Sequence, residues 1–400
     1  MKLLANALLI LFVASTVRAA DDPPRVFVWN ADALAKARPR VASDLRPAYE
    51  RLRSDADKAL KAAPRSVMDK RLTPASGDKH DYMSVAPYFW PDPAKPDGLP
   101  YVRRDGRVNP ERGDDATDAR ALGRTTGNVQ SLALAYHFSG EEAYAAHAAR
   151  LLRVWFLDPA TRMNPNLNFA QAIPGRTPGR GIGIIDTVGL IGLVDSIGLL
   201  QASKAWTAED QRGMVAWFDA YLDWLRTSKN GRDEARAANN HGVWYDAQIA
   251  AFALFVGKTD LAKQTVEAAR TTRIDAQIEP DGTMPKELAR TNSLSYSLYN
   301  LTAFFTLARL GEHVGVDLWN YPTKDAARLR KAIDHLAPYV DPGKAWPHEQ
   351  IGAAKRTSNE LPTLLRRAAA AYPDGGYAAL LARHAPDAPA SHRTRRLHAR

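Results

Sequence analysis

The feature that most limits what this chain can fold into is a recurring unit of helix, short turn and helix. Residues 128–139 and 141–156 show it, meeting at Ser139-Gly140. A first amphipathic helix spans 41–63, with Leu45, Tyr49, Leu52 and Leu60 at helical spacing. Residues 185–202 are very apolar, and 207–228 follow the helix-start signal Thr207-Ala208-Glu209-Asp210. Further helices are predicted at 241–256, 259–278, 293–311, 324–338 and 357–373. Runs of β-branched residues are few. Helical hairpins in series build either a solenoid or a toroid. The absence of a strict repeat period disfavours a regular solenoid. The pattern therefore predicts an all-α fold, an irregular α/α toroid made as an incomplete barrel of helical hairpins. Its inner helices are covered on two sides, which gives the 185–202 segment a place.

Two stretches interrupt the helical pattern. Residues 82–112 carry Tyr88, Trp90 and Tyr101 among many Pro and Gly, and residues 163–183 carry Asn164, Asn166, Asn168, Arg176 and Arg180. Long loops of this kind often carry function. Residues 1–20 read as a signal peptide. Lys2 forms the basic start, Leu3 to Val13 the apolar stretch, and Val17-Arg18-Ala19 or Arg18-Ala19-Ala20 the cleavage site. The apolar stretch is too short for a membrane span of about 20 residues. The expectation is a periplasmic or secreted protein, free of the membrane once the signal is cleaved. The predicted organisation is then one helical domain over 21–383 and a basic, disordered tail over 384–400.

With no cysteine, thiolate metal sites and cysteine nucleophiles are excluded. Net charge is +10, and part of it sits in the tail, where Arg393, Arg395, Arg396 and Arg400 face only Asp387. A basic balance suits nucleic acid or an acidic polysaccharide, and export favours the polysaccharide. Charge alone fits solubility equally well.

Two runs carry the chemistry. Asn239-Asn240-His241-Gly242-Val243-Trp244-Tyr245 offers two amides and an imidazole. About fifty residues later, Lys286 to Tyr296 offers the guanidinium of Arg290 and the phenol of Tyr296. Cleaving a uronate polymer without water requires loss of the C5 proton, which lies next to a carboxylate. Groups that neutralise that carboxylate stabilise the anionic intermediate, and an acid and a base must move the protons. Asn, His and Arg suit the first task. Tyr or His suits the second, if a nearby cation lowers the phenol pKa. After Asn292 or Ser293 as a helix cap, Leu294, Leu298, Leu301 and Phe305 form an apolar stripe, and Tyr296 and Tyr299 fall on another face. Each feature also has a plain structural explanation: a hydrogen-bonding His at a helix start, or two half-buried tyrosines.

Other positions divide the same way. Tyr88, Trp90, Trp244 and Trp346 can stack on sugar rings or pack into the core. Arg176 and Arg180 can hold neighbouring carboxylates or stand solvated, and Gln130 can reach a cleft. His348-Glu349 lacks a second His at ligand spacing. Gly179 to Gly183 lacks the preceding strand of a nucleotide loop. Asp186, Asp246 and Glu287 are available to a glycoside hydrolase, but no pair declares itself. A non-catalytic polyuronate-binding protein would keep the basic cleft without needing Tyr296.

The run Asn239 to Asp246, followed by Pro285 to Thr291 and Leu294 to Leu301, resembles the alginate lyase domain family, which includes polysaccharide lyase family 5. The resemblance spans roughly Tyr82 to Ile351 and is sharpest over 239–305. It implies an (α/α) toroid with a deep substrate cleft, an exported enzyme, and β-elimination on mannuronate-rich or related polyuronates without metal or other cofactor. It also implies roles: Asn240 and His241 for carboxylate neutralisation, His241 as base for one uronate epimer, and Arg290 for neutralisation and for lowering the phenol pKa. A tyrosine in the 294–301 helix is the implied acid/base. Family 5 reads Arg-Ala-Leu-x-Tyr-His-Asn-Tyr here, which points to Tyr299. The Arg290-Thr291 form of this chain resembles more distant members and points to Tyr296, the preferred assignment. This divergence makes glucuronan an alternative to alginate as substrate.

Overall fold

In the computed structural model, residues 23–322, 328–351 and 357–385 are described. The signal-peptide segment, the start of the 324–338 helix and the tail from 386 lie outside them. Outside two loop stretches the described residues are mainly helical, and helical hairpins follow one another as an α/α toroid, as the periodicity predicts.

Helix α1 spans Ala31–Ala37, α2 Arg46–Leu60, α3 Ala119–Ser139 and α4 Glu142–Leu152. Gly140 closes α3 in the left-handed region at φ 73°, and its N–H returns to the Tyr136 carbonyl. This is the C-terminal motif that glycine adopts without a Cβ penalty. α3 begins well before residue 128 because Leu122, Thr125 and Thr126 are buried against its neighbours. Gly123, Gly127 and two threonines mask that face in the sequence. A π-helical turn over Arg153–Leu157 ends the second helix of the pair.

Helix α5, Leu190–Leu200, is the apolar inner helix and is buried over nearly its whole surface. Its Asp195 accepts the backbone N–H groups of Phe27, Val28 and Trp29 at 2.6–2.9 Å and so ties the N-terminal segment to the core. Helix α6 spans Ala208–Thr227 and starts with the capping box Thr207/Asp210. A short α7, Lys229–Ala235, follows at once from its cap Ser228; its Asn-Gly content hid it from the sequence pattern.

Helix α8, Asn240–Phe255, has every residue buried except His241. It packs against α5, α6, α9 (Thr259–Ala269) and α11 (Ser293–Glu312), with the single-turn α10 (Pro285–Leu288) leading into α11. The stretch predicted as one helix over 259–278 runs without a gap as α9 and a π-helical turn, Arg270–Asp275. Helices α12 (Arg328–Leu336), α13 (Thr357–Ala371) and α14 (Tyr377–His384) are the last among the described residues.

The two non-helical stretches pair with each other. Strand β1, Met83–Val85, runs parallel to β4, Phe169–Ala172, with Met83 opposite Phe169. Strands β2 (Phe89–Trp90) and β3 (Val102–Arg103) form an antiparallel hairpin. The loops therefore form one platform beside the N-terminal ends of α8 and α11.

Candidate active site

A cavity of about 650 Å³ opens where these elements meet. Its walls include Asn239, Asn240, His241, Arg290, Tyr296 and Tyr299, and the loop residues Tyr88 and Arg180. Arg103 and Arg112 also line it, and Glu360 is the one carboxylate among the described lining residues. Such a surface favours an anion.

Asn239 caps α8, its side-chain oxygen accepting the His241 N–H at 3.3 Å. Gly242 follows because nothing larger fits: a Cβ there would lie 2.1 Å from the Ala237 carbonyl oxygen and 2.6 Å from Arg273 Nη1. Arg273 donates to the Ala235 and Ala237 carbonyls and forms a buried ion pair with Asp246 at 2.7 Å. This brace fixes the turn that presents Asn240 and His241.

Behind each of these two residues stands a buried carboxylate. His241 Nδ1 lies 2.7 Å from Glu234 Oε1, and Glu234 is 2 % exposed. A carboxylate can only accept, so Nδ1 carries the proton and Nε2 is the nitrogen left for the cavity. The Asn240 backbone N–H donates to Glu287 Oε1 at 2.7 Å, and its Nδ2 reaches both Glu287 oxygens at 2.9–3.0 Å. One amide N–H can satisfy that fork, which leaves the second for the cavity. Burial pushes the Glu287 carboxyl up, partly offset by the Asn240 donors and Arg290.

Arg290 lies face-on to Tyr296, its guanidinium carbon 3.8 Å from the ring centroid. Its Nη2 and Nε donate to Asp105 at 3.1 and 3.4 Å, and Thr291 adds a bond to the same carboxylate. Asp105 sits beyond β3 and is not among the cavity residues, so it fixes Arg290 from behind. The Tyr296 hydroxyl lies 2.6 Å from that of Tyr88. Burial holds the Tyr296 phenol well above its usual pKa, and Tyr88 adds to the effect; Arg290 offsets only part of it. The expected lowering of the phenol pKa by the cation is thus reversed. Withdrawing a phenolate from water costs more than one guanidinium returns.

The family model described as alginate lyase matches residues 66–346. A solved alginate lyase from Bacteroides ovatus is 43% identical, with a TM-score of 0.90, covering 94% of this chain and 99% of its own. The chain belongs to the alginate lyase family. Alginate lyase A1-III, from Sphingomonas species A1, solved as a histidine-to-alanine variant complexed with tetrasaccharide, shares the fold at 16% identity. Its TM-score is 0.52, over 88% of this chain and 90% of that one. Among curated proteins none matches.

As a polysaccharide lyase, this protein does not need the carboxylate pair of a hydrolase. The side chains of Asp186, Asp246 and Glu287 are largely buried, and none lines the cavity. Asp246 is spent on Arg273, Glu287 on Asn240, and Asp186 on Arg112.

Five of the residues read from the sequence as sugar-binding stand away from the lyase cavity. Trp244 is 5 % exposed and packs behind Tyr299 at 5.1 Å between ring centroids. Trp90 donates its ring N–H to the Arg107 carbonyl, with Arg104 over its face. Gln130 reaches the Gly189 carbonyl at 3.4 Å, and Arg176 stands exposed in its turn. Trp346 packs edge-on to Tyr339 and donates to Ser293 Oγ. A larger recess of about 800 Å³ includes Arg153, Trp217 and Asp210 but none of the lyase motif residues, and its Arg153 is neutralised by Asp210.

Sequence reasoning missed Glu234 and Asp105 and took Glu287 only as a hydrolase candidate. Glu287 had a usable signal, three residues before Arg290 on the same short turn. Asp105 had none, since 185 residues separate it from Arg290.

Proposed function

We propose that the protein cleaves alginate, or a closely related polyuronate, by β-elimination carried out by side chains alone. The observation that carries this reading is Tyr296: a half-buried phenol beneath the Arg290 guanidinium, in the cavity that holds Asn240 and His241. Alginate as substrate is supported by the likeness to the Bacteroides ovatus alginate lyase.

In the proposed reaction the uronate carboxylate meets Arg290 and the free N–H of Asn240. Their charge and hydrogen bonds make the C5 proton more acidic. The neutral Tyr296 phenol gives its proton to the leaving O4. Where C5–H and O4 lie on the same side of the sugar, the phenol oxygen takes the C5 proton in the same pass. The C5–H and C4–O4 bonds break, the C4=C5 bond forms, and the tyrosine ends neutral. For the epimer with C5–H on the opposite side, His241 Nε2 is the base and Tyr296 remains the acid. The high phenol pKa supports the donor role, because the proton is in place across neutral pH.

The test follows the ultraviolet absorbance of the unsaturated product on polymannuronate, polyguluronate and glucuronan. Tyr296→Phe should abolish it on every polymer, and His241→Ala should cost most on polyguluronate. Full activity in Tyr296→Phe with loss in Tyr299→Phe would move the acid/base to Tyr299. Reducing ends without unsaturated product would replace the elimination with hydrolysis. We also propose export, read from residues 1–20; an intact N-terminus on the protein recovered from cell fractions would contradict it.

A further inference from the structure

Arg290 and Tyr296 must keep one geometry, yet no single helix carries both. Arg290 lies between α10 and α11, and Tyr296 stands in the first turn of α11. Residues 291–295 connect them, and each of the five is bonded to the segment 349–351. The Ile351 N–H donates to the Thr291 carbonyl at 2.9 Å, and the Ser293 N–H donates to the Glu349 carbonyl at 3.1 Å. Gln350 Nε2 donates to Asn292 Oδ1 at 3.1 Å. Gln350 Oε1 accepts the N–H groups of Leu294 and Ser295 at 3.1 and 3.3 Å.

Gln350 thus caps α11 from 56 residues away. The first N–H groups of a helix have no partner within it, and the residue before the helix usually supplies one. The sequence offers Asn292 or Ser293 for that task, and neither performs it. Asn292 makes no side-chain cap, and its Oδ1 is turned to Gln350 instead. The Ser293 hydroxyl donates to the Glu349 carbonyl at 2.6 Å. A second loop presses on the same residues. A Cβ on Gly106, next to the Asp105 that pairs with Arg290, would lie 2.6 Å from Thr291 Oγ1 and 2.8 Å from both Asn292 Nδ2 and Ile351 Cδ1. Asn292 and Ser295 line the cavity, and Gln350 is not among its lining residues. Pro347, His348 and Glu349 are exposed, so the capping segment covers the start of α11 without being part of the core.

We propose that Gln350 is a positioning residue for the elimination: by capping α11 from outside the cavity, it sets where the Tyr296 hydroxyl stands relative to Arg290 and the sugar. This rests on the lyase reading above. Gln350 acts through the backbone of residues 292–295 and not on the substrate. Its Oε1 is the working atom, because it holds the two consecutive N–H groups that precede Tyr296. A displacement of about 1 Å at a reacting group costs up to about a hundredfold in rate, even when its cause lies away from the chemistry.

The test uses the whole protein and reads kcat and KM from the absorbance of the unsaturated product, well below the melting temperature of each variant. Gln350→Ala should lower kcat about ten- to hundredfold and leave KM near wild type. The loss should be alike on polymannuronate and polyguluronate, since Tyr296 is proposed to serve both. Gln350→Glu keeps an acceptor for the two N–H groups at a helix start, where a carboxylate is favourable, and should recover most of the loss. Wild-type kcat in folded Gln350→Ala overturns the proposal and leaves Gln350 a cap for stability alone. A loss confined to KM overturns it too, as do equal losses in the Ala and Glu variants. Should Gln350→Ala fail to fold, Gln350→Asn takes its place: its amide is one methylene too short to hold both N–H groups, and wild-type kcat there overturns the proposal. A wild type that forms no unsaturated product on any polyuronate rejects the lyase reading and this assignment together. An active wild type with unaffected variants rejects this assignment alone.

Discussion

Removing Glu234 tests whether the buried carboxylate sets the state of His241. The contact is short, 2.7 Å, and closed to water: the His241 side chain is 15 % exposed and that of Glu234 2 %. A hydrogen bond to a charged partner contributes about 1.5–3 kcal/mol. At about 1.36 kcal/mol per tenfold in rate, that is a loss of roughly ten- to 150-fold if the whole contribution is felt in the transition state. Glu234→Ala frees the ring to rotate and to carry its proton on either nitrogen, so it should approach the upper figure. Glu234→Gln keeps an acceptor of the same shape and should stay near the lower. The loss should fall on kcat more than KM, and should be larger on polyguluronate, where His241 is the proposed base, than on polymannuronate. The assay is initial rate by absorbance of the unsaturated product on each polymer, with thermal unfolding measured beside it. Wild-type kcat in Glu234→Ala on both polymers, with an unchanged melting temperature, would refute the role assigned to this carboxylate.

Three further outcomes follow. Tyr88→Phe removes one of the groups that raise the Tyr296 pKa. A raised phenol pKa keeps the acid form to higher pH, so the alkaline limb of kcat should move to lower pH in the variant; an unmoved limb contradicts the pairing. Gly242→Ala drives a Cβ against the Ala237 carbonyl and Arg273. It should lower stability by at least about 1–3 kcal/mol and take activity with it, as chemical denaturation and rate measurements would show. Asp195→Ala leaves three backbone N–H groups without their acceptor. At about 1–3 kcal/mol each for buried groups, the unfolding free energy should fall by several kcal/mol, with little change in KM.

The helical hairpins were legible because their apolar spacing repeats along the chain, as Leu294, Leu298, Leu301 and Phe305 do in α11, all buried. The site motifs were legible for a similar reason, since Asn240, His241, Arg290 and Tyr296 lie in two short runs at helix starts. What escaped depends on distance in sequence or on environment. The pairing of Met83 with Phe169 spans two loops with no common pattern. Trp244 and Tyr245 look alike in the motif, yet the packing of α8 turns both inward, where they are buried. The direction of the Tyr296 pKa shift followed from a visible neighbour, Arg290, while the burial that overrides it was not visible.

The placement of the carboxylates answers an apparent conflict. An anion-binding cavity should avoid negative charge, yet Glu234, Glu287 and Asp105 all stand just behind its working groups. Each is nearest to a side chain whose donors it orients, so its field is spent locally on His241, Asn240 and Arg290. Four arginines line the cavity itself. Interaction falls with distance and with dielectric, so a bound carboxylate in contact with Arg290 feels the guanidinium more strongly than the Asp105 behind it. The carboxylates thus trade a little attraction for direction, and direction is what separates groups that bind a uronate from groups that move its C5 proton.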